Sequence, residues 1–401
     1  MSDEHAIAVL GTGAMGAGIA QVAAVHGWTV MMIDCDPETA ARSREGIGKR
    51  LERQVEKGRL SSDEAMDALE RLVIVQSDSQ LDGCEVLIEA IVEDLEVKTK
   101  AIESLLDPLS EEAIIATNTS SLSVTELGDR LGCPERVVGM HFFNPAPIMK
   151  LVEVVRGRAT SEAVLDRVAD IAASWGKQVA RCADTPGFIV NRVARPYYLE
   201  AFRIVEDGLA TPDSIDATMK ALGGFRMGPL ELTDFIGHDV NTATTRTVWN
   251  QWNQPARLAP SWLQESLVAE GHLGRKSGRG VYDHTGDAPI CAVKVAGPDS
   301  TVNDVVQSAC TAFTEAATNA DHGLLQTIIF ARILGALINE AMWAERDGVA
   351  TAADIDTAVQ YGVNYPRGLL EWRDAIGHEQ VSALLQTLDA STDDDRFVAP
   401  S

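Results

Sequence analysis

One stretch near the N-terminus limits the fold more than any other. Residues 6–10 (Ala-Ile-Ala-Val-Leu) form a short apolar run, and Gly11-Thr-Gly13-Ala-Met-Gly16 follows without a gap. Residues 17–26 are helical in pattern, residues 29–33 are β-rich, and Asp34 comes next. Strand, glycine turn, helix, strand and acid in that order predict a βαβ unit that opens a parallel α/β sheet. Gly11 permits the tight turn, Gly13 lets the backbone approach a pyrophosphate, and Gly16 allows close packing. Ala14 and Met15 complete the turn, and the helix N-terminus faces the anion. Asp34, eighteen residues beyond Gly16, would bond the adenosine ribose hydroxyls and repel a 2′-phosphate. Cys35-Asp36-Pro37 follows, with no arginine to neutralise such a phosphate, so NAD is expected over NADP.

The α/β alternation continues. Strands are expected at 71–76, 85–90, 113–117, 137–143, 149–155 and 178–181, and helices at 37–58 and 163–174. The helix over 37–58 carries Arg42, Arg44, Lys49, Arg50, Arg53 and Lys57, which either form a solvated face or meet a phosphorylated handle. Ser61 and Glu64 make a capping box for the next helix. Asn118-Thr-Ser120-Ser-Leu-Ser stands at the carboxyl end of a strand, where open sheets place their ligands. Ser121 or Ser123 also suits the cap of the following helix. His141 ends another apolar run, Asn144-Pro145-Ala146-Pro147 forces a turn, and Glu153 lies on the strand after it. A histidine backed by a carboxylate is a general base with its tautomer fixed. The same residues also suit a core histidine beside an incidental glutamate.

Composition narrows the class. Net charge is −25, with 59 acids against 34 bases, so no basic face is offered to nucleic acid. The first ten residues carry acids where a secretory signal needs positive charge. No apolar run reaches the roughly 20 residues of a membrane span. The six cysteines are scattered without a close pair, which argues against zinc and disulfides and for a reduced, cytoplasmic setting.

Beyond Asp184 the pattern turns helical, with Pro186 suited to a first helical turn. The second half repeats itself. Leu199-Glu-Ala-Phe and Asp207-Gly-Leu-Ala-Thr return 140 residues on as Asn339-Glu-Ala-Met and Asp347-Gly-Val-Ala-Thr, and the match runs ungapped to Gly237 and Gly377. At that offset Asn191 becomes Ala331. An asparagine needed only for helix packing would need a replacement in the second copy, so Asn191 is favoured as a site residue. The expected division is 1–183 α/β domain, 184–283 first helical domain, 284–317 linker and 318–401 second helical domain. The glycine-rich basic stretch 271–283 is expected to be an ordered connector.

Together these residues resemble the 3-hydroxyacyl-CoA dehydrogenase family. The motifs that carry the likeness are the glycine turn with Asp34, Asn118-Thr-Ser120-Ser-Leu, His141-Phe-Phe-Asn-Pro, Lys150-Leu-Val-Glu153 and Asp184-Thr-Pro-Gly-Phe-Ile-Val-Asn191-Arg. The resemblance implies a Rossmann-type NAD-binding domain followed by tandem all-α domains like the C-terminal part of 6-phosphogluconate dehydrogenase. It implies His141, Glu153, Ser120 and Asn191 as catalytic residues, and Ala90, Glu93, Lys98 and Asn118 around the cofactor. Asn144 and Lys57 are implied on the acyl-CoA, although Arg50 stands where the family has a serine contact. No metal is implied. The family's usual form has one helical domain and dimerises through it, so a homodimer or an intramolecular pseudo-dimer is expected. The activity implied is NAD-dependent interconversion of (S)-3-hydroxyacyl-CoA and 3-oxoacyl-CoA, with a short acyl chain, 3-hydroxybutyryl-CoA or 3-hydroxyadipyl-CoA. Two alternatives stay open: a β-hydroxyacid dehydrogenase of the 6-phosphogluconate type, which would need a lysine where Asn191 stands, and an inactive NAD-binding relative.

Overall fold

The computed structural model describes residues 5–293 and 302–401, so residues 294–301 of the expected linker and the first four residues lie outside the described part. The chain forms two compact units, Met1–Phe188 and Ile189–Ser401.

The first unit alternates strands and helices: β1 Ala6–Leu10, α1 Ala14–Val25, β2 Thr29–Ile33, α2 Pro37–Glu56, α3 Ser62–Glu70, β3 Leu72–Ile74, β4 Val86–Glu89 and α4 Leu95–Glu103. It continues with β5 Ile114–Thr117, α5 Val124–Leu131, β6 Val137–Phe142, β7 Leu151–Arg156, α6 Glu162–Ser174 and β8 Gln178–Ala183. Every strand ends within two residues of its expected limits. The sheet order is β3-β2-β1-β4-β5-β6-β7-β8. All neighbours are parallel except β6 and β7, which pair antiparallel. A short proline turn joins β6 to β7, and only antiparallel strands can be joined without a long crossover. Between β1 and β4 the chain changes direction across the sheet, which opens a crevice at their carboxyl ends. Ile7, Val9, Val30, Met32, Ile88 and the apolar face of α1 form one buried core.

The second unit is helical: α7 Val190–Val193, α8 Arg195–Glu206, α9 Pro212–Gly223, α10 Pro229–Ile236, α11 His238–Gln251 and α12 Trp262–Ala269. A small hairpin, β9 Tyr282–Asp283 with β10 Ile290–Cys291, precedes α13 Asp304–Thr318, α14 Leu324–Arg346, α15 Ala352–Gly362, α16 Leu369–Ile376 and α17 His378–Asp389. Helices α8 to α11 and α14 to α17 follow the 140-residue offset, and both sets lie within this one compact unit.

Three expectations need correction. The helix expected from Pro186 begins only at Val190, because Gly187 (φ 80°) and Phe188 (φ 47°) hold left-handed backbone that no right-handed helix accepts. Pro196 then starts α8 as a first-turn proline. The linker over 284–317 contains most of α13, capped by Asn303 and buried at Val306, Cys310, Phe313 and Thr314. That spacing is helical, but alanines and threonines between the apolar positions blur it. The third correction concerns apolar length: α14 is long and apolar enough to cross a membrane, with mean hydropathy 1.4. Its apolar window is 83% buried inside the protein, as befits the central helix of a bundle.

The two helical sets exchange ion pairs reciprocally. Arg192 donates through Nε to Glu340 (2.6 Å) and through Nη2 to Asp347 (2.6 Å). At the positions 140 residues on, Arg332 donates to Glu200 (2.7 Å) and Asp207 (3.0 Å). Residue i meets j while the equivalent of j meets the equivalent of i, the pattern of a two-fold interface.

Candidate active site

At the carboxyl end of β1 the chain turns through Gly11 with φ 92°. A Cβ at Gly11 would fall 2.7 Å from the Ala90 carbonyl oxygen, and one at Gly16 would fall 1.8 Å from the Gly11 carbonyl. Any larger residue at either position would therefore block the turn. In front of Gly13 a Cβ would meet nothing within 4 Å, which leaves the α1 N-terminus and its amides at Ala14 and Met15 open to an anion. The cradle fits a pyrophosphate. Asp34 is held at the end of β2 by the amide and hydroxyl of Thr12 (2.8 and 2.7 Å). Burial works against its charge, but these bonds prevail and hold the carboxyl below the usual aspartate range.

Glu93 lies where the turn after β5 can use it. One carboxylate oxygen accepts from the Thr119 hydroxyl (2.7 Å), the Ser120 and Ser121 amides (2.9 and 3.0 Å) and the Ser121 hydroxyl (2.9 Å). Burial opposes its ionisation, yet the Thr119 hydroxyl, the Lys98 charge and the Ser120 amide keep it below the usual glutamate range. Lys98 is buried, with its ammonium 2.6 Å from Glu89 and 3.3 Å from Glu93. Glu89 also accepts from the Thr117 hydroxyl (2.6 Å) and the Ile91 amide (2.7 Å). A relay from buried Glu89 through buried Lys98 to the more exposed Glu93 thus fixes the backbone of Ser120, whose own side chain is exposed. Asn118 accepts from the Phe142 amide (2.8 Å), which ties this turn to the strand that carries His141.

His141 and Glu153 are directly paired across the β6/β7 ladder. His141 Nδ1 lies 2.7 Å from Glu153 Oε2, with the histidine 6% exposed and the glutamate fully buried. A carboxylate can only accept, so in this arrangement Nδ1 carries the proton and Nε2 presents a lone pair. Phe143 and Phe188 flank the imidazole at 4.6 and 5.7 Å between ring centroids. Lys177 holds the turn that follows, donating to the carbonyls of Ala146 and Met149 (2.5 and 2.7 Å), and burial pushes its pKa down to about 8.

Of the remaining expected residues, Asn144 and Lys57 are both exposed, and Lys57 caps the end of α2. Asn191 lies on α7 in the second unit. Three residues escaped the sequence reading, Thr12, Glu89 and Lys177, and Asp184 was read only as a boundary and motif position. Asp184 accepts from the Ser123 hydroxyl (2.7 Å) and the Val124 and Thr125 amides (3.1 and 2.8 Å), clamping the start of α5. Glu89 left a trace, since a carboxylate inside an apolar strand must find a partner.

The model of the 3-hydroxyacyl-CoA dehydrogenase NAD binding domain matches residues 6–185, and that family's C-terminal domain model matches 187–284 and 329–401. A 3-hydroxyadipyl-CoA dehydrogenase of Escherichia coli (strain K12) is 38% identical over 99% of this chain and 96% of its own length. A probable 3-hydroxybutyryl-CoA dehydrogenase of Bacillus subtilis (strain 168) is 41% identical, over 69% of this chain and 96% of its own. The crystal structure of a 3-hydroxybutyryl-CoA dehydrogenase from Escherichia coli K12 superposes with a TM-score of 0.87 at 37% identity, covering 99% of this chain and 97% of that one.

Proposed function

The chain belongs to the 3-hydroxyacyl-CoA dehydrogenase family and is an NAD-dependent oxidoreductase of 3-hydroxyacyl-CoA and 3-oxoacyl-CoA; within that class we propose that His141 is the general base and short acyl-CoA thioesters the substrate. The observation that carries the assignment is the buried His141–Glu153 pair at the sheet's carboxyl edge. His141 Nε2 takes the proton of the substrate 3-hydroxyl, and Glu153 accepts from Nδ1 and stabilises the imidazolium. NAD, when bound, supplies the hydride acceptor. Gly11, Gly13 and Gly16 would make room for its pyrophosphate, Asp34 would hold its adenosine ribose, and Glu93 and Asn118 would serve its nicotinamide end. Lys98 acts through Glu93, since its ammonium is already engaged by two carboxylates. Ser120 and Asn191 hydrogen-bond the substrate oxygens and fix the pose. Asn144 and Lys57 contact the acyl-CoA.

We read the two helical sets as tandem domains, the second a structural copy that serves as an intramolecular dimer partner. The reciprocal pairs of Arg192 with Glu340 and Asp347, and of Arg332 with Glu200 and Asp207, support this. One NAD and one acyl-CoA per chain follow. The six free cysteines agree with a cytoplasmic setting. The decisive experiment follows NADH formation from (S)-3-hydroxybutyryl-CoA by the wild type and His141→Gln. General-base loss costs on the order of 10²–10⁴ in rate. Near-normal turnover by the variant at saturating substrate would overturn the role of His141.

A further inference from the structure

Lys177 is a buried cation that the His141 chemistry does not use. It stands just before β8 and is 8% exposed, and no carboxylate among the described residues pairs with it. Burial is the one cause that moves its pKa, so no counter-charge offsets the cost of holding an ammonium there. The charged groups around it are engaged elsewhere. On α6, Glu162 pairs with Arg156, Asp166 with Arg181 and Arg167 with Glu85, and Asp170 is exposed. On β7, Glu153 faces His141. Helix α1 carries no charged residue; His26, just after it, borders Gly176. Lys150, at the end of the preceding turn, is exposed.

What Lys177 holds is the turn between the strands of the catalytic pair. Residues 143–150 join β6 to β7 and close the ladder in which His141 lies opposite Glu153 and Phe142 opposite Val152. Pro145 and Pro147 have no amide to donate, and the amides of Ile148 and Met149 both go to the Pro145 carbonyl (2.9 and 3.0 Å). Among the described residues no backbone amide reaches the carbonyls of Ala146 and Met149. Lys177 Nζ donates to both, at 2.5 and 2.7 Å, and so ties the middle of the turn to its end. The lysine is itself anchored, because Gln178 donates to the Lys150 carbonyl (2.8 Å) and pairs with Leu151 at the start of β7. From the other side α1 closes on the turn: a Cβ at Gly18 would fall 3.1 Å from Ala146 Cβ and 3.2 Å from Pro147 Cδ. A water or a neutral donor would satisfy two carbonyls at less cost than an unpaired cation, so the charge points to a task beyond filling hydrogen bonds.

We propose that Lys177 is a positioning residue for the dehydrogenation: its ammonium, by pinning the β6–β7 turn, keeps His141 aligned with Glu153 so that the imidazole can act as base. The inference rests on the reading of His141 as that base. Lys177 acts through the turn, not on the reacting atoms. Misplacing a catalytic group by about 1 Å can cost on the order of 100-fold in rate. Charge-assisted hydrogen bonds are roughly twice as strong as neutral ones, so the hold slackens when the ammonium loses its proton. Burial brings that loss down to about pH 8.

The test follows kcat of the full-length enzyme with saturating (S)-3-hydroxybutyryl-CoA from about pH 7 to about pH 9.5, with NAD binding measured by calorimetric titration. The wild type is expected to lose turnover in a step centred near pH 8. Lys177→Met keeps the bulk and removes the donors. It should turn over on the order of 10- to 100-fold more slowly at neutral pH, bind NAD as the wild type does and show no step near pH 8. A lysine that merely props the fold would lower the number of NAD sites and leave kcat per site unchanged. That result overturns the proposal, as does a step that survives in the variant or a level wild-type profile. Should Lys177→Met not fold, Lys177→Arg supplies a cation that does not titrate in this range. It is expected to retain more turnover than loss of the donors allows and to lose the step, and a retained step overturns the proposal. His141→Gln, assayed alongside, separates the two readings. Near-normal turnover there strikes the assignment of His141 itself, whereas its loss beside an unimpaired Lys177→Met strikes Lys177 alone.

Discussion

Replacing Glu153 by Gln keeps the shape of the buried pair and removes its charge. Glu153 is fully buried and sits 2.7 Å from His141 Nδ1, directly opposite it in the ladder. When His141 takes a proton it becomes a cation in a site from which water is nearly excluded. A hydrogen bond to a charged group contributes about 1.5–3 kcal/mol, and each 1.36 kcal/mol is about a decade of rate. Losing the charge alone should therefore slow turnover on the order of 10- to 100-fold. A second loss is added. The glutamine amide offers donors as well as an acceptor, and a donor turned toward Nδ1 demands a lone pair there. The ring then carries its proton on Nε2, where it cannot accept one from substrate. That fraction of molecules is inactive, and the combined fall in kcat should be on the order of 10²–10³, inside the range for a lost general base. NADH absorbance at saturating acyl-CoA measures kcat, and calorimetric titration measures NAD affinity, which should hold. A folded variant within about threefold of wild-type kcat would refute the reasoning, as would an equal loss of NAD affinity.

Asp34 should enforce NAD over NADP, and Asp34→Ala should narrow the ratio of the two specificity constants; equal use of both by the wild type would show the residue misread. Glu340→Gln should destabilise the protein by up to about 3 kcal/mol, because partly buried Arg257 loses the carboxylate 2.6 Å away and buried Arg192 is left with Asp347 alone; an unchanged unfolding midpoint in denaturant would count against it. Asp216 accepts from the Leu230 and Glu231 amides and the Tyr282 hydroxyl, yet burial raises its pKa to about 6. The folded state then holds a proton that the unfolded state has released between about pH 4 and 6, so the stability of wild type relative to Asp216→Asn should fall as pH rises through that window. A flat difference across it would contradict the shift.

Much of the nucleotide end was legible because it is local. The glycine turn, α1 and Asp34 lie within one βαβ unit, whose connection rules leave a single arrangement. His141 and Glu153 were legible for a related reason: a short proline turn forces neighbouring antiparallel strands, and the turn fixes which residues face each other. The repeat, too, needed only the letters of the chain. Helix limits were less readable where backbone conformation decided them, as at Gly187 and Phe188, which delay the helix to Val190.

Tertiary structure alone decided how charge is buried. Lys98 reaches both Glu89 and Glu93 only once β4 and α4 are packed, and Asp184 reaches α5 from 59 to 61 residues away. Arg192 meets Glu340 across 148 residues of sequence. Arginines 192 and 195 stand three positions apart in the sequence, the first on α7 and the second opening α8, and only packing gives the first two carboxylates and leaves the second none among the described residues. Periodicity and turn chemistry act through near neighbours along the chain. A buried ion's partner is set by which distant surfaces close over it, and the sequence carries no local pattern for that.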